Sequence, residues 1–193
     1  MISLTRKDKL RRVILVCRRF TRNLAYYRVG MRSEYADLFD HEKHREANFW
    51  RMTNSNSMDL CVLEWCKLFV ERRGKHHGQN VVTSKDDFRQ RLFEESGVDD
   101  VPFQSVVEIF KHYRDKFVAH LDLEQTMTIP RLDIANKAVH CYQKHILEKE
   151  SEGLDLGFTP DLNTVFEVSE KEAVIVYSRA ISPHFVPLLK KEI

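Results

Sequence analysis

Residues 102–121 read PFQSVVEIFKHYRDKFVAHL, a stretch whose apolar side chains recur with the period of an α-helix. On a wheel of about 3.6 residues per turn they fall in one arc, as expected for a helix that faces a core. The members of this arc are Phe103, Val106, Val107, Phe110, Tyr113, Phe117, Val118 and Leu121. Pro102 suits the first turn, where a missing N–H breaks no helical hydrogen bond. The pattern predicts a buried helix.

Two residues of this helix do not fit a purely structural role. Arg114 falls inside the apolar arc, and His120 lies at the opposite edge of that arc. A guanidinium directed toward a core needs a partner or a cleft, because an unpaired buried charge is costly. The alternative is an Arg that pairs with a carboxylate of a neighbouring helix and a His that hydrogen-bonds a carbonyl. On a straight α-helix the two side chains lie about 120° apart, so one copy does not bring them together.

The rest of the chain predicts an all-α bundle of five to six helices with a small C-terminal β-hairpin or strand. Apolar periodicity and capping residues indicate a long first helix ending near Gly30, further helices over about 33–52, 55–74 and 84–95, and a last long helix over 129–150. The run TVFEVSEKEAVIVYS, at 164–178, predicts the hairpin or strand because it is rich in β-branched residues. We expect residues 1–150 to form the bundle and residues 151–193 to pack on it.

The composition predicts a cytoplasmic protein with no membrane segment. The uncharged run 13–17 is too short for a signal-peptide core or a membrane span. The four cysteines fall in helical patterns without a C-x-x-C pair, which favours a reducing compartment. Neither the cysteines nor the histidines have the spacing of a zinc site, and no glycine-rich phosphate loop is present. We therefore predict no metal and no cofactor.

Positive charge is concentrated in the N-terminal part of the chain. Residues 1–75 contain 17 Lys and Arg against 9 Asp and Glu, whereas residues 76–193 contain 14 against 20. This asymmetry allows a polyanionic partner such as RNA, although a solvated helix face whose Arg stems cover apolar surface is the alternative. The candidate RNA-binding residues are Arg11, Arg18, Arg72, Arg73, Lys75, His76 and His77.

Two motifs resemble one known family. RDKFVAHLD, at 114–122, resembles the active-site signature of HEPN ribonucleases, in which Arg is followed by a polar residue and, after a short gap, by His. WCKLFVERRGKHH, at 65–77, looks like a segment of the abortive-infection branch of HEPN-like proteins. The resemblance covers residues 1–150. It departs from HEPN toxins that a nucleotidyltransferase antitoxin modifies, because Leu121 and Asp122 follow His120 without the tyrosine pattern of those toxins.

This resemblance implies a HEPN-like helical bundle and a metal-independent endoribonuclease of a phage-defence or toxin–antitoxin system. Arg114, Asp115 and His120 would be the catalytic residues, in a composite site between two protomers of a homodimer, and a cognate antitoxin is a possible further partner. The chemistry agrees, because RNA carries its own 2′-hydroxyl nucleophile, an imidazole serves as acid or base near neutrality, and an Arg fork matches phosphate oxygens. The alternative is a non-catalytic HEPN module that binds RNA, a nucleotide or a partner protein.

Overall fold

The computed structural model describes residues 4–118, 129–157 and 159–182, and every regular element among them is helical. The prediction of an all-α fold is thereby confirmed for these residues, although they form seven α-helices where five to six helices were expected. The α-helices are α1 (Arg6–Gly30), α2 (Ala47–Phe69), α3 (Gly78–Val81), α4 (Lys85–Ser96), α5 (Asp100–Tyr113), α6 (Leu132–His145) and α7 (Leu162–Ile181). A 3-10 helix spans Ser33–Phe39, and π-helical segments continue α5 over Arg114–Val118 and α6 over Ile146–Glu150.

Helix α1 is central to the bundle and packs against α2, α6 and α7. It begins with a capping box in which the Thr5 hydroxyl accepts from the Asp8 N–H and the Asp8 carboxylate accepts from the Thr5 N–H. Its end at Gly30 agrees with the sequence prediction. The four cysteines are free, buried thiols. None of the helices in the described ranges is long and apolar enough to cross a membrane.

Helix α5 is held against α2 by aromatic packing. Trp65 is fully buried, and its ring centroid lies 4.1 Å from that of Phe110 and 6.1 Å from that of Phe103. At the other end of the contact, Tyr113 Oη donates to Asp59 Oδ1 at 3.0 Å. These contacts fix the last turn of α5 beside α2, and this position decides where Arg114 lies.

The sequence prediction divided α2 wrongly. A single helix runs from Ala47 to Phe69, where two helices over about 33–52 and 55–74 were expected. The capping-type residues at 53–57 lie inside this helix because their polar groups are satisfied there: Ser57 Oγ donates to Thr53 O at 3.2 Å, and Tyr177 Oη donates to Asn54 Oδ1 at 3.5 Å. The first part of the expected second helix is instead the 3-10 helix.

The prediction of a C-terminal hairpin or strand was also wrong, because residues 162–181 form α7. Asp161 caps this helix by accepting from the N–H groups of Asn163 and Thr164. Its buried positions recur every four residues, at Val165, Ser169, Ala173 and Tyr177, which is the spacing of a helix face. Helix α7 packs along α1, and residues 183–193 lie outside the described chain.

Candidate nucleic-acid interface

Arg114 lies at the junction where α5 changes from an α-helix to a π-helical segment. A π-helix has more residues per turn than an α-helix, and such segments are frequent at functional sites. The angle of about 120° between Arg114 and His120 was derived for a straight α-helix and therefore no longer applies. Phe117 keeps contact with the core, since its ring lies 5.6 Å from that of Tyr113. His120 and the predicted end of the helix fall at 119–128, outside the described residues.

The Arg114 side chain is 20% exposed and is oriented by its neighbour Asp115. Its Nε and Nη2 atoms both lie 2.8 Å from Asp115 Oδ1, whereas Nη1 is 3.7 Å from Glu71 Oε1. The hydrogen bond with Asp115 raises the pKa of Arg114 above its ordinary value despite partial burial, so the guanidinium is charged at every physiological pH. One edge of the Arg114 fork is thus occupied, Nη1 faces a more distant carboxylate, and the Cys66 thiol also interacts with the guanidinium.

Arg114 lines an open cavity of about 660 Å³ between α5 and the loop that follows α2. We refer to it as the Arg114 cavity, and its lining residues are Val70, Glu71, Arg72, Arg73, Gly74, Val107, Glu108, Lys111 and Arg114. Four basic side chains line it against two acidic ones; Lys111 pairs with Glu108 at 3.3 Å and Arg114 with Asp115, so Arg72 and Arg73 supply the positive charge that has no ion pair among the described residues. The two motifs that resemble HEPN proteins therefore meet in space, because Arg72 and Arg73 come from one and Arg114 from the other.

The loop after α2 is held by side-chain hydrogen bonds to its backbone. Asn80 Nδ2 donates to the carbonyls of Arg72 and Gly74, at 2.7 and 2.9 Å. The Gly74 N–H donates to Glu71 O at 2.6 Å, and a Cβ at position 74 would lie 2.8 Å from the same oxygen, so this turn requires glycine. The backbone that carries Arg72 and Arg73 is therefore fixed.

The two adjacent histidines of this loop have different environments. His77 is buried and caps α3: its Nδ1 accepts from the Gln79 N–H at 3.2 Å, and its Nε2 lies 3.1 Å from Phe69 O. Both ring nitrogens are thus engaged by the backbone. His76 is half-buried, and its pKa is lowered first by burial and then by the charges of Arg12 and Lys67. His76 therefore lies next to the basic face of α1.

The remaining predicted RNA-binding residues do not all converge on the Arg114 cavity. Arg11 and Arg18 line a separate cavity of about 300 Å³ together with Arg12, Leu15 and others. Within the described chain, Arg18 Nε is a buried donor without a hydrogen-bond partner. Lys75 is exposed and lines neither cavity. The predicted set thus divides between a site at α5 and a second basic site on α1.

Sequence reasoning missed Lys111, which lines the Arg114 cavity, and Asn80, which holds the loop beside it. Lys111 falls outside the apolar arc of its helix, yet it lies three residues before Arg114 and therefore on a neighbouring part of the surface. That spacing is a signal that could have identified it. Asn80 was missed because its role, holding the carbonyls of the loop, depends on tertiary contact and leaves no pattern in the sequence.

Comparison of the chain with protein-family models, curated proteins and solved structures found no match. Among the residues that the structure describes, no three His, Cys, Asp or Glu side chains come together as metal ligands do.

Proposed function

We propose that this chain is a metal-independent endoribonuclease of the HEPN type that binds a phosphate of RNA in the Arg114 cavity. The observation that carries the proposal is the convergence of Arg72, Arg73 and Lys111 on a charged, oriented Arg114. Guanidinium groups bind phosphate oxygens in pairs, and an electropositive groove gathers a polyanion. The biological setting proposed with it is a phage-defence or toxin–antitoxin system.

In the proposed reaction, His120 acts as acid and base, an assignment that rests on the sequence motif. One imidazole takes the proton of the 2′-hydroxyl while the 2′-oxygen attacks the adjacent phosphorus. The bond from phosphorus to the 5′-oxygen breaks, and that oxygen receives a proton from a second imidazolium. Arg114 stabilises the charge that develops on the phosphorane. The products are a 2′,3′-cyclic phosphate and a free 5′-hydroxyl.

Because this scheme uses two imidazoles, we propose that the active form is a homodimer. A two-fold pair of the helices that carry Arg114 would supply two arginines and two histidines to one phosphate. The exposed basic side chains of α1 and of the loop after α2, including Arg11 and Arg73, would then follow the RNA backbone.

The second candidate function is an RNA-binding module without turnover. The observation that favours it is the ion pair of Arg114 with Asp115, which occupies the Nε and Nη2 edge of the guanidinium. A bidentate grip on phosphate through that edge would require Asp115 to move. Binding of phosphate through Nη1, together with Arg72 or Lys111, would leave Asp115 in place.

The two candidates are separated by incubating purified protein with mixed RNA in the presence of EDTA. We expect wild-type protein to give cyclic-phosphate ends, with a specific rate that falls on dilution. Arg114→Ala and His120→Ala are each expected to lower the rate about 100-fold or more, since each removes a group that acts in the transition state. Arg179→Ala, on the exposed last turn of α7, is the matched control and should retain activity.

If the protein binds RNA without cleaving it, the nuclease proposal is overturned in favour of the RNA-binding module. Cleavage that EDTA abolishes, or that survives Arg114→Ala unchanged, would overturn the proposed mechanism.

A further inference from the structure

A second pocket, walled by aromatic rings, lies beside the Arg114 cavity. It has a volume of about 380 Å³ and is formed by α2, α3, α4 and α5. Phe69, Phe88 and Phe103 are buried in its walls, and Phe93 is half-buried. We refer to it as the aromatic pocket. Its volume is in the range of pockets, about 300 Å³ and above, that enclose a small organic ligand.

The aromatic walls are fixed in place by their neighbours. The Phe69 and Phe103 rings meet edge to face with centroids 6.0 Å apart, and the Phe88 ring lies 4.9 Å from that of Tyr142. A Cβ at Gly78 would lie 2.8 Å from Phe88 Cε1, so the glycine allows Phe88 to approach the backbone of α3. The walls thus form a fixed apolar surface, to which the half-buried Phe93 contributes more exposed ring than the three buried phenylalanines.

The rim of the pocket is polar and mainly basic. Gln79 and Gln104 are exposed side-chain amides whose donors and acceptors have no partner among the described residues. Lys85 and Arg89 add positive charge, and Asp86 is the acidic residue of the lining. Arg89 is already engaged, because it pairs with Asp100 at 2.5 Å and lies over the Phe93 ring. A ligand here would have a flat ring, edges that hydrogen-bond, and a negative charge nearby.

The aromatic pocket and the Arg114 cavity share two lining residues, Arg72 and Val107. Arg72 is an exposed cation without an ion pair among the described residues, and it stands on the boundary between the two spaces. A phosphate held at Arg72 and Arg114 would therefore have an aromatic-walled space next to it. A nucleotide has the same arrangement, because its base and its phosphate are joined through one sugar.

We propose that the aromatic pocket is a base-binding subsite, which takes an unpaired base of the RNA strand whose phosphate lies in the Arg114 cavity. The inference rests on the proposed function for the source of the base. Single-stranded nucleic acid is commonly bound in this way, by aromatic side chains that stack on bases beside cations that hold the backbone. Gln79 and Gln104 are placed to hydrogen-bond the edge of the base.

The test measures binding of two uncleavable tetranucleotides by calorimetry. One is 2′-O-methyl oligoadenylate, which lacks the nucleophilic hydroxyl, and the other is an abasic tetramer with the same phosphates. On wild-type protein we expect the adenylate to bind about tenfold more tightly, as stacking of one base implies. Gln104→Trp, which fills the mouth of the pocket from an exposed position, should remove that difference and leave the affinity for the abasic tetramer unchanged. Ser105→Trp, exposed on the same helix and outside the lining, should change neither affinity.

Equal affinity of wild-type protein for the two tetramers would overturn the subsite, as would a preference that survives Gln104→Trp. If adenosine monophosphate binds as tightly as the tetramer, the pocket takes a free nucleotide and the assignment to an RNA strand is overturned. Failure of the nuclease proposal has a different signature, because cleavage in EDTA is then absent while the base preference persists. Conversely, if cleavage depends on Arg114 but the two tetramers bind equally, the nuclease proposal stands and the base-binding subsite is overturned.

Discussion

At the scale of single residues, the site depends on how two carboxylates share Arg114. Asp115 holds the Nε and Nη2 edge at 2.8 Å, whereas Glu71 stands 3.7 Å from Nη1 and its side chain is 44% exposed. The shorter contact orients the guanidinium. The longer one is a weak, solvent-screened ion pair of the kind that contributes about 1 kcal/mol or less. Glu71 therefore lies where an oxygen of the proposed phosphate would bind Nη1. Displacing its carboxylate from that place would cost little stability.

We predict that Glu71→Gln tightens the binding of single-stranded RNA about threefold at low salt, because it removes a competing charge beside Nη1. Fluorescence anisotropy with a labelled RNA measures the change. Glu94→Gln is the matched control: it also removes one negative charge, but from an exposed position on α4 outside both cavities. If both variants bind RNA more tightly by the same factor, the effect comes from net charge alone and Glu71 does not compete with phosphate at Arg114.

The residues of the site differ in how far the sequence could identify them. Arg114 was identifiable because a charge at an apolar position of a helix needs an explanation, and Arg72 and Arg73 because they stand in a basic loop. His77 has the same signal as its neighbours, yet it caps α3 and binds Phe69 O. The sequence does not distinguish a side chain that hydrogen-bonds the backbone of its own loop from one that is available to a ligand.

At the scale of elements, α1 and α4 have the ends that their sequences predict. Helix α4 ends at Gly97, which has φ +72° and so the left-handed conformation that favours glycine at a helix end. Helices α2 and α7 were mispredicted, because tertiary contacts override the local preferences of capping and β-branched residues. Asn54 shows this for α2, since its side-chain oxygen accepts from Tyr177 of α7, whereas Ser57 is satisfied locally by the carbonyl of Thr53 one turn earlier in the same helix.

The π-helical end of α6 contains a buried carboxylate that joins three elements. Glu150 has a side chain only 1% exposed, and it pairs with Arg6 at the start of α1. It also accepts from the Thr83 N–H at 2.7 Å and lies 3.4 Å from His145 Nε2. The loop between α3 and α4 is thereby joined to both helices, and with it the wall of the aromatic pocket.

We predict that Glu150→Ala lowers the free energy of unfolding by about 2 kcal/mol, because the Thr83 donors and the partly exposed Arg6 lose the buried carboxylate that they share. Urea denaturation followed by circular dichroism measures the loss. Glu148→Ala removes an exposed carboxylate two residues away, paired with Arg91 at 2.8 Å, and should leave the free energy of unfolding nearly unchanged, because solvent screens that ion pair. Losses of similar size in the two variants would show that Glu150 acts as an ordinary surface ion pair.

At the scale of the whole molecule, four histidines, two in the loop after α2 and two on α6, respond to pH in the same direction. Burial is the main cause that lowers the pKa of His76, His77, His140 and His145 below the ordinary value of 6.5. The folded chain keeps these imidazoles neutral in a pH range where the unfolded chain binds protons. Linkage then requires the free energy of unfolding to fall as the pH falls through 6.5, and the fall levels off below the folded pKa values.

We therefore predict that the midpoint of urea denaturation is higher at pH 7.5 than at pH 5.5, because over this range the four imidazoles bind protons more readily in the unfolded chain than in the folded one. Each histidine contributes separately, so His140→Gln should make the dependence on pH shallower, because it removes one group that must stay neutral in the folded chain. His41→Gln, at an exposed position before α2, is the control for the loss of a histidine as such. A midpoint that is constant or rises toward pH 5.5 would contradict the prediction, because it would require the folded chain to bind protons at least as readily as the unfolded one.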